Sequence, residues 1–193
     1  AITLATGKIS TLDTSARRQD FHISFAPDSR WLAYTVAGEN HFSQIKLHDF
    51  LSGKNSSLTD GMSHADYPVF AAKDYLYFTS SVNSGPGQVG LDMSTQERPS
   101  RSGLYVAVLA ADGKSPLLPK DGDEGSKADS KDADKKDTDK ADPKDAKDSD
   151  KKDKVVKPVR IDLEGLQQRI VALPVAERNY DSLAVASDGA LFY

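Results

Sequence analysis

The chain has 193 residues, 38% of them hydrophobic, and its 25 Lys and Arg against 29 Asp and Glu give a formal charge of -4 with no cysteine. It lacks the basic excess needed to neutralise phosphates, so nucleic acid is not expected as a partner, and the missing cysteine excludes a disulfide scaffold or a thiolate metal centre. No run approaches the roughly 20 apolar residues that cross a bilayer as a helix, and Ala1-Ile2-Thr3-Leu4 lacks the basic start and apolar middle of a signal peptide.

Residues 1–13 read as the last strand and turn of a unit that starts upstream, with Thr6-Gly7 as the turn. From Asp20, apolar Phe21, Ile23 and Phe25 alternate with His22 and Ser24, the period of a half-buried strand. Pro27-Asp28-Ser29 then reverses the chain: proline presets the backbone angle, and the Asp or Ser side chain bonds back to nearby amides. Residues 31–36 return as a second strand, 44–50 supply a third, and 54–58, after Ser52-Gly53, a fourth. The order repeats with 67–70, 75–79 and 104–109, the third strand delayed by a Gly, Pro and Ser-rich loop over about 80–102. Two segments compete for the outer strand of this second unit, Ile161-Asp162-Leu163 and residues 169–173. Residues 185–193 repeat the turn into an aromatic strand and open a further unit, with Tyr193 inside a strand.

Gly-Lys, three free positions and Leu occur three times, from Gly7, Gly53 and Gly113. The first two copies lie 46 residues apart and Tyr34 lies 44 before Phe78, close to the roughly 40 to 45 residues of one four-stranded propeller blade. The expected fold class is therefore all-β, a partial β-propeller of four-stranded antiparallel blades. Its expected parts are the end of a preceding blade (1–19), a complete blade (20–65) and a blade with a long loop at 80–102 (66–119). A charged insertion (120–157), a return segment with an outer strand (158–178) and the start of the next blade (179–193) follow. The insertion holds 12 Lys and 13 Asp or Glu without an aromatic, Ile or Leu residue, so burial cannot offset its ordering entropy and disorder is expected. Loop closure costs only about 0.6 kcal/mol per doubling of length, which lets the blade keep such an insertion. Blades cut from a ring expose faces and edges, so the chain is expected to be marginally stable and prone to associate.

Few motifs carry chemistry. Gly85-Pro86-Gly87-Gln88-Val89-Gly90 spells the dinucleotide pattern, but no strand feeds a helix there, so a glycine-rich loop is expected. Asp121-Gly122-Asp123-Glu124-Gly125 resembles the opening of a calcium loop but lacks the later carboxylates. His22, His41, His48 and His64 show no metal-ligand spacing, and no cofactor or metal is expected. No GxSxG elbow occurs, and Asn55-Ser56-Ser57 matches a glycosylation acceptor only as three letters. Trp31, Tyr34, Tyr75, Tyr77, Phe78, Phe192 and Tyr193 recur at equivalent strand positions, which points to packing between blades. First strands line the central channel of a propeller. Hence His22, Asp20, Asp66 and Asp181, which begin or precede those strands, are the candidate channel-facing groups, with ordinary solvation of strand ends as the competing reading.

The run from Arg160 to Tyr180, with Arg160-Ile161-Asp162-Leu163-Glu164-Gly165, Arg169-Ile170-Val171, Leu173-Pro174 and Asn179-Tyr180, resembles a segment of the tricorn protease family. Asp20-Phe21 to Tyr34 resembles the blade opening of that family, and a charged insertion commonly precedes the run in its bacterial members. The resemblance implies a large, cytoplasmic, homo-oligomeric serine peptidase. Its propellers would gate or channel peptides or unfolded polypeptide toward a catalytic region farther along the chain, beside a PDZ-like module. Nothing in this sequence matches that region, so no nucleophile, base or oxyanion donor is assigned and the fragment itself is expected to lack hydrolytic activity. Glu177-Arg178 stands where relatives often have glycine, which leaves the turn into the next blade open. The blade signature is shared with Tol-system periplasmic propellers, which act as protein-binding scaffolds, and with the propeller caps of prolyl-oligopeptidase-type enzymes.

Overall fold

The computed structural model describes residues 1–17, 20–71, 74–84, 101–118 and 158–193. The dinucleotide-like match, the calcium-like opening and the charged tract lie outside the described residues. Contacts divide the chain into one unit of Ala1–Leu117 with Val156–Tyr193 and a second of Leu118–Val155, of which only Leu118 is described. The first unit is all-β. Its described residues hold strands and a single 3-10 turn, Leu166–Arg169, with no α-helix.

Blade A is the antiparallel sheet of β3 (Ile23–Phe25), β4 (Trp31–Ala37), β5 (Ser43–Asp49) and β6 (Lys54–Ser57), in that order. Blade B pairs β7 (His64–Ala71), β8 (Tyr75–Ser81), β9 (Gly103–Val108) and β10 (Ile170–Ala172) in the same way. Two further hairpins flank them, β1–β2 (Ile2–Thr3 with Lys8–Ile9) and β11–β12 (Ala184–Val185 with Leu191–Phe192). Three strand limits shift by two or more residues from the sequence expectation. β3 begins at Ile23 rather than Phe21, β7 begins at His64, and β8 runs on to Ser81.

The period of two fills both faces of blade A. Trp31, Ala33, Ile45 and Leu47 enter a core shared with Phe70, Leu76, Phe78, Ala107 and Leu109 of blade B, where each fully buried Leu or Ile contributes about 1.5–3 kcal/mol. Leu32, Tyr34 and Val36 point the other way, beneath Leu12. Of the aromatic residues expected to pack between blades, only Trp31 and Phe78 join this shared core. Tyr34 serves the opposite face, and Phe192 and Tyr193 are exposed.

The turns carry the repeat in their hydrogen bonds. Gly7 N–H donates to the Thr3 carbonyl at 2.8 Å and Gly53 N–H to Asp49 at 2.7 Å, both glycines at left-handed φ, 66° and 70°, where a Cβ is strained. The third Gly-Lys copy breaks this equivalence. Gly113 is not left-handed, a Cβ on it would stand 2.5 Å from Val108 Cγ1, and residues 114–118 form no strand. The edge of β9 is instead taken by β10, which begins 62 residues after β9 ends, in the register Ile170 with Ala107 and Ala172 with Tyr105. Of the two competing segments, 169–173 therefore supplies the outer strand.

Residues 161–163 brace that strand. Asp162 N–H donates to the Leu109 carbonyl at 3.0 Å and its Oδ2 accepts from Ala111 N–H at 2.8 Å. Arg169 donates to the carbonyls of Val108 (3.1 Å), Glu164 (2.9 Å), Leu109 (3.3 Å) and Asp162. Val159 and Leu166 are buried in the shared core, and Val159 N–H donates to Asp28 Oδ2 in the β3–β4 turn at 2.7 Å. Beyond β10, Arg178 and Ser102 exchange backbone bonds of 2.8 and 3.1 Å, so Glu177-Arg178 prolongs the pairing instead of turning away.

Candidate functional site

Of the three first strands, β7 packs against both β3 and β11, and residues that lead into them form a polar cluster. His22 precedes β3 yet is locked to its neighbour: its N–H donates to Thr35 Oγ1 at 3.0 Å, and its carbonyl accepts from Thr35 N–H at 3.1 Å. In β7 the register slips between Asp66 and Val69. Tyr67 sits in this bulge at φ 51°, immediately before Pro68. A left-handed non-glycine residue ahead of proline is doubly disfavoured and persists only where its surroundings fix it.

Those surroundings are the cluster itself. The bulge lays the Tyr67 ring on the His22 imidazole, with centroids 4.2 Å apart, and brings Asp66 Oδ1 to 2.6 Å from His22 Nδ1. Asp66 Oδ1 also accepts the Tyr67 N–H at 2.8 Å, and Thr79 Oγ1 donates to the Asp66 carbonyl at 3.2 Å. Burial, then the charges of Asp66, Asp181 and Asp20, raise the Tyr67 phenol above its ordinary pKa. Sequence reasoning singled out His22, Asp20, Asp66 and Asp181, and the fold gathers all four around Tyr67. It missed Tyr67, although a proline within a strand pattern marks a bulge. The arrangement is an acidic patch beside an aromatic ring, chemistry suited to a cationic group, with the His22 side chain about one-third exposed. Ser24, two residues along from His22, has its Oγ engaged by the Phe70 N–H at 3.1 Å.

His48 and His64 are engaged structurally. His48 Nδ1 lies 2.6 Å from Asn55 Oδ1 and His64 Nδ1 lies 3.0 Å from Ser43 Oγ. Asn55 further donates to the Leu12 carbonyl at 2.8 Å, so both ends of the amide in the Asn55-Ser56-Ser57 match are engaged. Among the described residues no group of three or more His, Cys, Asp or Glu could hold a metal.

Two ion-paired carboxylates secure blade A away from this cluster. Asp49 receives Arg30 through two bonds, of 3.0 and 2.9 Å, and this partner, outweighing burial, holds its carboxyl well below the usual range. Burial pushes the Asp13 carboxyl up, but Lys46, the Thr14 amide and the Tyr34 hydroxyl outweigh it and the pKa falls. Burial, with the Asp13 bond added, drives Tyr34 far above its ordinary value.

No protein-family model matches the chain. It is 32% identical, over 192 aligned residues covering 96% of its length, to tricorn protease homolog 1 of Streptomyces coelicolor, and spans 16% of that protein. A crystal structure of the tricorn protease superposes on 94% of the chain with a TM-score of 0.60 and 21% identity, and the chain spans 15% of it. That likeness shows the fold, a β-propeller built of such sheets, although no closed sheet occurs among the described residues.

Proposed function

Because this chain is a tricorn-like fragment, we propose that it is a non-catalytic propeller piece that admits and orients peptides on their way to a catalytic region elsewhere in a longer serine peptidase. The longer protein is proposed to be cytoplasmic and homo-oligomeric. The observation that carries the reading is the convergence of His22, Asp66, Tyr67, Asp20 and Asp181 on the leading ends of three first strands. A face with several carboxylates beside an aromatic ring favours the amino terminus or a lysine of an incoming peptide, and weak attraction at an entrance concentrates substrate without trapping it.

The test is a titration of the isotopically labelled chain with a short peptide bearing a free amino terminus and one lysine, against its acetylated counterpart. Resonances of His22 and Tyr67 should move with the first peptide and stay with the second, and Asp66→Asn should weaken the response several-fold. Shifts elsewhere only, or hydrolysis of the peptide by the purified chain, would sink the reading.

A further inference from the structure

We propose that the outer edge of blade B is a docking strip for an extended, basic segment of a partner polypeptide, which adds a strand to β10 and lays an arginine side chain into the cleft between the two blades. The inference goes beyond the polar cluster, which belongs to the first strands, whereas this strip belongs to the fourth. Blades A and B each have all four strands, and the outer strand of a blade keeps a free edge however many blades share the ring.

The backbone of β10 is only half engaged. Leu173 N–H donates to the Leu104 carbonyl at 2.8 Å, so by antiparallel alternation Val171 also faces β9, while Ile170 and Ala172 turn their backbone groups outward. The Ile170 N–H is taken by the Gln167 carbonyl. Among the described residues nothing meets the Ala172 N–H or carbonyl, and Ala172 is exposed. A residue opposite it in an antiparallel guest strand exchanges two backbone bonds, the strand-addition mode of peptide recognition.

Register places the side chains. Phe78 pairs with Tyr105 and Tyr105 with Ala172, so these three stand in one row on the face of blade B that looks toward blade A. The neighbouring row of Leu76, Ala107 and Ile170 packs in or against the shared core. The row of Phe78 and Tyr105 opens into a cleft of about 240 Å³. Their rings stack with centroids 5.7 Å apart, and the Tyr105 ring leans over Gly103, where a Cβ would stand 3.2 Å from its Cε2. That volume is below the roughly 300–1,000 Å³ of small-molecule sites and suits one long side chain. Length is needed as well. The guest backbone lies two strand spacings, about 10 Å, from that of Tyr105, and Ala172 between them is too short to block the path.

Charge selects the guest. Asp60 lines the cleft, and no described Lys, Arg or His does. Burial, then the charge of Glu177, raise the Tyr105 phenol above its ordinary pKa, so a second carboxylate bears on that side chain. Ser63 Oγ and Ser80 Oγ, 2.8 Å apart, also line the cleft and keep lone pairs for a donor. A guanidinium is flat and donor-only: it stacks on the Tyr105 ring and donates to Asp60 and the hydroxyls, which a lysine ammonium does less well.

The test titrates the isotopically labelled chain with an acetylated, amidated pentapeptide of threonine, valine, arginine, valine and threonine. Amide resonances of Tyr105 and Ala172 should shift. Citrulline in place of the arginine removes its charge, and Asp60→Asn removes the carboxylate while keeping an acceptor for the Met62 N–H; each should weaken binding several-fold. Methylating the arginine backbone nitrogen removes the donor to the Ala172 carbonyl and should abolish binding. Ala172→Pro removes the outward N–H without touching the β9 ladder and should do the same. Circular dichroism checks the fold of that variant, and the methylated peptide reads the pairing without it. Shifts confined to His22 and Tyr67, equal affinity for the citrulline or methylated peptide, or no binding at millimolar peptide would each overturn the proposal. So would self-association of the unmodified chain that Ala172→Pro removes, because the edge would then belong to a second copy.

Discussion

Blade A and blade B reach the same four-stranded order by different means. Blade A closes its outer edge locally: β6 follows β5 through the Gly53 turn and is polar and largely exposed. Blade B receives its outer strand from a distant segment and fixes it with side chains instead of a turn. Arg169 gathers four carbonyls, and Val159 and Leu166 sink into the shared core. An edge position thus asks only for a strand that is held. Where chain connectivity no longer holds it, buried apolar contacts and charge-assisted bonds must.

The largest effect should come from that brace. Arg169→Ala leaves several carbonyls without their donor and should cost about 3–4 kcal/mol in urea unfolding, with little recovery in Arg169→Lys, because one ammonium cannot replace the planar fork. A loss no greater than that of Lys54→Ala on the exposed β6, which should stay within about 0.5 kcal/mol, would erase the distinction between the blades. Leu166→Ala should cost about 3 kcal/mol by opening a cavity beneath β10. Thermal unfolding of the two variants side by side checks whether the brace works through packing as well as hydrogen bonds.

Blade A should be sensitive at its turn. Gly53→Ala forces a Cβ into a left-handed position and should cost about 1–2 kcal/mol, while Gly53→Asn recovers most of it. Acid provides a finer probe. The Asp49 carboxyl titrates below its unfolded value, so its contribution is present above the ordinary carboxylate range and fades as pH falls through its depressed folded value. Asp49→Asn should flatten the decline of the urea midpoint between neutral and acidic pH. The Asp162 carboxyl is also lowered, first by the Ala111 amide, but it is more exposed, so Asp162→Asn should flatten the decline less. An unchanged slope in Asp49→Asn would rule out this account. The smallest effect should be Trp31→Phe. The indole N–H is buried without a partner, so removing it should leave stability within about 0.5 kcal/mol despite the lost ring area.

Blade A was legible in the sequence because its signals are local: alternation from Phe21 to Phe25, the Pro27-Asp28-Ser29 turn and Gly53 all act within a few residues. The outer strand of blade B was not, since Ile161-Asp162-Leu163 and residues 169–173 have the same apolar character, and the choice rests on carbonyls some 60 residues away that Arg169 reaches. The third Gly-Lys copy misled for a related reason. Its letters repeat, but Gly113 packs against Val108 and has no strand to turn into. At the polar cluster, His22, Asp20, Asp66 and Asp181 could be found from strand order alone. Tyr67 could not, because its place depends on the slip in β7 that turns its ring onto His22.

The bond from Val159 to Asp28 spans 131 residues and bears on how the chain matures on the ribosome. Blade A has all its strands once residue 57 has emerged, but the Asp28 carboxylate must wait for the return segment. During that interval Trp31 and its neighbours face solvent, or hold a provisional cover from β7 and β8. Translation that stalls within the charged tract would therefore leave a nascent chain with one finished sheet and one lacking its rim, a natural substrate for chaperone capture.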